Sequence, residues 1–172
     1  MVNCGKMCFF VVGNGFSAMQ GFLGEYEVAM DAKGRFLVPS GFRKQLPEGE
    51  GAQFVINRGM DACLNLYTIS EWDKLTERLS RLNDFLPKVQ LFKRLILGGA
   101  SVLEPDSAGR LLLPKALQQY ASLQKELVFS ANINKVEIWD KDSYYQHLKA
   151  HSLDLAKLSA EVFGDDFIDP FQ

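Results

Sequence analysis

The sequence predicts an α+β protein made of two tandem copies of one small unit, each running β-β-short α-β-β-α. Three observations predict it. Residues 31–39 read Asp-Ala-Lys-Gly-Arg-Phe-Leu-Val-Pro and residues 106–114 read Asp-Ser-Ala-Gly-Arg-Leu-Leu-Leu-Pro, one pattern repeated at a spacing of 75. Short alternating runs flank each nonapeptide as strands do. Apolar residues at helical spacing then close each copy.

The chain divides into an N-terminal extension (residues 1–20), a first unit (21–98), a second unit with the C-terminal helix (99–160) and an acidic tail (161–172). The extension offers two false leads. Its lysine, apolar run and small residues imitate a weak signal peptide. Its Gly13-x-Gly15-x-x-Ala18 imitates a dinucleotide-binding turn, but an alternating strand pattern follows where that turn requires a helix. Met19 reads as the natural start, and residues 1–18 as a disordered upstream segment.

Each unit follows one order. Phe22 to Met30, and Ala100 to Pro105, read as the strand entering the nonapeptide. Asp31 and Asp106 can accept backbone N–H bonds from the turn that follows. Gly34 and Gly109 supply the positive φ the turn needs. Arg35 and Arg110 open the return strand. Pro39 and Pro114 end it and suit the first position of a helix, so short helices are expected over 40–46 and 115–120. Strands follow over 53–57 and 63–67, then over 126–130 and 135–139. Leu64-Asn65-Leu66-Tyr67 aligns with Val136-Glu137-Ile138-Trp139 at an offset of 72. The tips present Lys33 and Arg35 in the first copy and Arg110 in the second. One unit is too small to bury a good core, so the copies are expected to pack as a pseudo-dimer around Phe36, Val38, Leu111 and Leu113.

Ser70 reads as an N-cap with Asp73 three residues on. Trp72, Leu75, Leu79 and Leu82, then Val89, Phe92, Leu95 and Ile96, read as helix faces buried against their own sheet. Lys74, Arg78 and Arg81 read as a solvated stripe. Tyr144, Leu148, His151, Leu155, Leu158 and Val162 form a C-terminal stripe open to either burial or subunit packing.

Composition narrows the function classes. No run of 18 or more apolar residues is present, so no membrane partner is expected. Three cysteines (Cys4, Cys8 and Cys63) without a CxxC pair argue against a disulfide framework or zinc ribbon, and fit a reducing cytoplasm. Net charge is −2, yet residues 151–172 carry −4 and the body therefore +2. An acidic tail masks a mildly basic body. His147 and His151, at i and i+4 with Asp154 beyond, have zinc-compatible spacing but neither an HExxH glutamate nor a further ligand, so no metal, cofactor or catalytic site is expected.

Phe22-Leu23-Gly24-Glu25-Tyr26-Glu27 and the first nonapeptide resemble the opening of the MraZ family. Asn57-Arg58-Gly59-Met60-Asp61, Tyr67-x4-Trp72, Asp106-x-x-Gly109-Arg110 and Glu137-Ile138-Trp139-Asp140 match in order. The resemblance covers about Phe22 to Leu148. It implies pseudo-symmetric, AbrB-like swapped-hairpin β-barrel units with flanking helices. It further implies ring-like homo-oligomers that bind repeated double-stranded promoter elements of the division and cell-wall gene cluster as repressors, in the cytoplasm at the nucleoid. Lys33, Arg35 and Arg110 would then be the DNA-binding residues, with Asp31, Gly34, Asp106 and Gly109 forming the turns. Ala108 stands where the first copy has Lys33, so the hairpins are expected to contribute unequally. The alternative from the same fold is an antitoxin-like, protein-binding module.

Overall fold

The computed structural model describes residues 21–151 and 155–164; the signal-like segment, the glycine motif, residues 1–18, Asp154 and most of the acidic tail lie outside them. The first copy comprises β1 (Glu25–Ala29), β2 (Arg35–Leu37), α1 (Ser40–Arg43), β3 (Phe54–Arg58), β4 (Leu64–Thr68), α2 (Ile69–Ser80) and α3 (Pro87–Leu97). The second comprises β5 (Ser101–Leu103), β6 (Arg110–Leu112), α4 (Lys115–Tyr120), β7 (Glu126–Asn132), β8 (Lys135–Asp140), α5 (Lys141–His151) and α6 (Leu155–Phe163). The architecture is α+β, with the element order of one copy repeated in the other.

The copies exchange strands. A six-stranded antiparallel sheet runs β1-β7-β8-β4-β3-β5, so each copy's first strand pairs with the third strand of the other. The return strands also leave their own copies and pair as a two-stranded ribbon, β2-β6. Within a copy, β1 and β2 are joined only by the turn and a single Met30–Phe36 bridge. A lone copy would leave these edges unpaired, which is costly for a strand of any length.

Register reveals a pseudo-twofold axis. In the ribbon Phe36 faces Leu111, its own repeat counterpart, while Arg35 faces Leu112 and Leu37 faces Arg110. In the sheet Asn65 faces its counterpart Glu137, with Leu64 opposite Ile138 and Leu66 opposite Val136. The axis therefore passes between Phe36 and Leu111 on one side of the molecule and between Asn65 and Glu137 on the other. Lys135 tethers the second crossing, donating to Asn65 Oδ1 at 3.2 Å and pairing with Glu137 at 2.8 Å.

Strand alternation sends Phe54, Ile56, Leu64, Leu66, Leu127, Phe129, Val136 and Ile138 to one face, where they meet Phe36, Val38, Leu111 and Leu113 from the ribbon. Phe42 of α1 and Leu117 of α4 complete this core. Phe42 sits at its centre, with ring centroids 5.0 Å from Phe22, 5.1 Å from Phe129 and 6.4 Å from Phe54. The opposite face buries a smaller cluster of Cys63, Val128, Trp139 and Tyr144.

Three local expectations are corrected. Pro39 and Pro114 occupy the N-cap positions of α1 and α4, one residue before the helix proper. Thr68, not Ser70, caps α2 and accepts from the Glu71 N–H; its counterpart Asp140 accepts from the Ser143 N–H at the start of α5. Thr68 and Asp140 are buried, so tertiary packing places the helix start two residues earlier than the Ser70 signal. Finally, α3 fully buries no residue: of the expected face, Phe92 and Leu95 are exposed. Its apolar stripe packs only in part: Val89 and Ile96 are half-buried, and the Asn57 side-chain amide of β3 donates to the Ile96 carbonyl at 3.2 Å. The C-terminal stripe is open too, with Leu148, Leu155, Leu158 and Val162 exposed. The Lys74 and Arg81 side chains are solvated and pair locally with Glu71 and Glu77. Among the described residues no helix is long and apolar enough to cross a membrane.

Candidate nucleic-acid interface

The nonapeptide turns are built twice to one plan. The Gly34 N–H donates to the Asp31 carbonyl at 2.9 Å, and the Gly109 N–H to that of Asp106 at 2.8 Å. Asp31 Oδ1 accepts the backbone N–H groups of Lys33 at 2.9 Å and Arg35 at 3.0 Å. Asp106 Oδ1 accepts those of Ala108 and Arg110 at the same two distances. Both turns put glycine at positive φ, +81° at Gly34 and +76° at Gly109.

Each arginine closes its own turn. Arg35 Nε and Nη2 lie 2.8 and 2.7 Å from Asp31 Oδ2; in Arg110 the corresponding distances to Asp106 are 2.9 and 2.8 Å. The arginine alone would satisfy either a structural or a binding role; the ion pairs tie each arginine to its own turn. They leave the rest of each guanidinium fork unengaged, and 28% of the Arg35 side chain and 37% of that of Arg110 remain exposed. The guanidinium and the turn N–H groups hold the Asp31 carboxyl down at about 2, and those around Asp106 depress it in the same direction. A carboxylate with a depressed folded value stabilises fully above its ordinary value near 4 and loses that contribution as pH falls toward 2. Melting temperature should therefore fall below about pH 4. An Asp31→Asn/Asp106→Asn variant should show a shallower decline over pH 4 to 2 in thermal melts; an equal slope would mean that these pairs do not set it.

Swapping governs what surrounds each tip. The Leu113 N–H donates to the Gly34 carbonyl at 2.9 Å, and the Val38 N–H to the Gly109 carbonyl at 3.3 Å, so each tip is held by the other copy. A Cβ on Gly34 would strike the Gln118 amide of α4; a Cβ on Gly109 would lie 3.5 Å from Arg43 Nη1 of α1, an ordinary contact. Gln118 donates to the Leu113 carbonyl at 2.7 Å and would lose that bond on moving aside. Gly34→Ala should thus cost about 1–2 kcal/mol for the left-handed backbone plus roughly 1 kcal/mol for the displaced bond, whereas Gly109→Ala incurs only the first. Denaturant melts of the two variants would show equal losses if Gln118 yields freely.

The ribbon has one buried and one outward face. Phe36 and Leu111 point inward, so Arg35, Leu37, Arg110 and Leu112 share the outer side. Leu37 is 48% and Leu112 55% exposed. Lys33 is exposed and lines one cleft with Leu112 and Lys115. The alternation in Arg35-Phe36-Leu37 already carried the signal for Leu37 and Leu112. No signal in the sequence pointed to Arg43, Lys115 or Gln118, because the packing of one copy's helix on the other's tip is a product of strand exchange. His147 stacks on Trp139 and His151 on His147, at 5.1 and 4.5 Å between ring centroids.

A family model described as "MraZ protein, putative antitoxin-like" matches residues 22–95 and again 96–166. The chain belongs to the MraZ family. Curated MraZ relatives agree with this. The transcriptional regulator MraZ of Christiangramia forsetii is 45% identical over 88% of this chain and 98% of its own length. That of Flavobacterium psychrophilum is 38% identical over 86% of this chain and 94% of its own, and that of Photorhabdus laumondii 43% over 74% and 85%. MraZ proteins are thus a family of transcriptional regulators and not of enzymes. The two matched stretches correspond to the two copies related by the pseudo-twofold axis.

Proposed function

We propose that this chain represses transcription of the division and cell-wall gene cluster by binding repeated double-stranded promoter elements. Lys33, Arg35 and Arg110 make the DNA contacts, on turns formed by Asp31, Gly34, Asp106 and Gly109. The observation carrying this reading is that Arg35 and Arg110 lie on one outward face of a two-stranded ribbon, related by the pseudo-twofold axis. A two-stranded ribbon fits the major groove, where an arginine fork meets guanine O6 and N7 and an apolar side chain meets the thymine methyl. Leu37 and Leu112 suit the second contact. The Asp31 and Asp106 pairs pre-orient the forks, reducing the entropy lost on docking.

One subunit offers few contacts, so the reading includes a ring-like homo-oligomer whose subunits meet evenly spaced repeats and gain through effective concentration. The exposed apolar stripes of α3 and α6 support self-association. The location is then the cytoplasm, at the nucleoid. A partner-binding, antitoxin-like role is the second reading, favoured by those same stripes and by the description of the family model. Footprinting on the DNA upstream of the chain's own gene, at several salt concentrations, tests the proposal. Regularly spaced protection that weakens steeply with salt is expected. No protection at low salt, with one small protein recovered in stoichiometric complex, would favour the second reading.

A further inference from the structure

Arg35 and Arg110 cannot supply the attraction to phosphate that DNA binding requires. Each is locked to its own carboxylate, so each arginine–aspartate pair carries no net charge. Affinity for a duplex comes chiefly from cations that displace counterions from phosphates. Lys33 is one such cation, but the second tip has Ala108 in its place. On the tips alone, one half of the ribbon would have no uncompensated charge.

The helices packed on the tips restore it. Lys115, at the start of α4, lines the same cleft as Lys33 and Leu112, beside the Arg35 end of the ribbon. Arg43, at the end of α1, reaches the other end: its Nη1 and Leu37 Cδ1 lie 3.5 and 3.7 Å from the position a Cβ would take on Gly109. Leu37 is the cross-strand partner of Arg110. Both cations are exposed, and among the described residues neither forms an ion pair within 4 Å. Glu104 shares the cleft of Lys115 and Glu50 that of Arg43, without pairing. The repeat counterparts are uncharged: Ser40 corresponds to Lys115 and Gln118 to Arg43. The two copies have therefore traded cations. Each end of the ribbon is flanked by a positive helix residue donated by the opposite copy, at a different position each time.

We infer that Arg43 and Lys115 are further DNA-contacting residues, which grip the phosphates on either side of the ribbon while Arg35 and Arg110 read bases. This rests on the DNA-binding reading above. It makes the interface pseudo-symmetric in shape but asymmetric in charge. The end with Lys33 and Lys115 carries two point charges suited to phosphate; the end with Arg43 carries a single planar fork.

Substitutions that install the counterpart residue test it, because each new side chain already sits in the same local fold elsewhere in the chain. Arg43→Gln and Lys115→Ser should assemble and melt as the parent does. Each should weaken binding by roughly fivefold to tenfold, to the same extent on a duplex from upstream of the chain's own gene and on a random-sequence duplex of equal length. Each should also flatten the plot of log affinity against log salt by about one for each subunit engaged. Arg43→Lys, which keeps the charge, should retain the parent slope. Parent-like affinity and slope in both counterpart variants would overturn the inference while leaving the DNA reading intact. A loss of slope in Arg43→Lys equal to that in Arg43→Gln would overturn it also, since charge would then not be the cause. Failure of the parent chain to bind either duplex would sink the DNA reading itself, and this inference with it.

Discussion

The Arg35→Lys/Arg110→Lys double variant is expected to lose sequence-specific DNA binding by about a hundredfold or more while melting within a few degrees of the parent. Two bidentate guanine contacts, each worth about 1–3 kcal/mol of discrimination, set that scale. Lysine is chosen over alanine because it keeps the charge beside Asp31 and Asp106, whose carboxyls the parent arginines hold as anions. The turn stays closed, and only the planar fork is lost. Binding to a random-sequence duplex should barely change. Measuring both duplexes by fluorescence anisotropy separates the cases: undiminished preference for the upstream duplex would show that these arginines serve the turns alone. Alanine variants are less informative, because they break the ion pair and the contact together.

Phe42→Ala should be the most destabilising single substitution in α1, at about 3–5 kcal/mol. The ring is almost wholly buried and touches Phe22 of its own copy and Phe129 of the other. Its removal opens a cavity where the two copies meet, at a position no surface side chain can fill. Against a total stability of roughly 5–15 kcal/mol, the loss should lower the melting temperature by about 10 °C or more. Because the ribbon is held by the same core, the variant should lose DNA binding only as it unfolds. Binding lost well below the melting transition would mean instead that α1 positions the ribbon independently of the core.

Most of the fold was legible before any coordinate. Strand pattern placed β3, β4, β7 and β8 to within a residue or two, because short apolar runs rich in β-formers and bounded by turn residues mark strands. The repeated Asp-x-x-Gly-Arg located both turns, since a positive φ admits few residues. The cap of α2 was misplaced because Ser70 and Thr68 are both good cap residues, and burial of Thr68 chose between them. The α3 stripe has the periodicity of a buried helix yet leaves Phe92 and Leu95 exposed and Val89 and Ile96 only half-buried. Periodicity reports that a face is apolar; it is silent on what covers it.

The candidate site divides along the same line. Which residues form the tips, which are charged and which alternate outward all follow from the order of residues, because turns and alternation are local. Strand exchange does not follow. A lone hairpin pairing β1 with β2 and the observed pairing of β2 with β6 present identical local patterns to a reader of the chain. They differ in the edges left unpaired and in the apolar area covered when two copies share one core. That choice brings Arg43 to the second tip and Lys115 to the first, and it places Arg35 and Arg110 about a common axis. Non-local pairing is settled by the free energy of the whole molecule, and no window of sequence contains it.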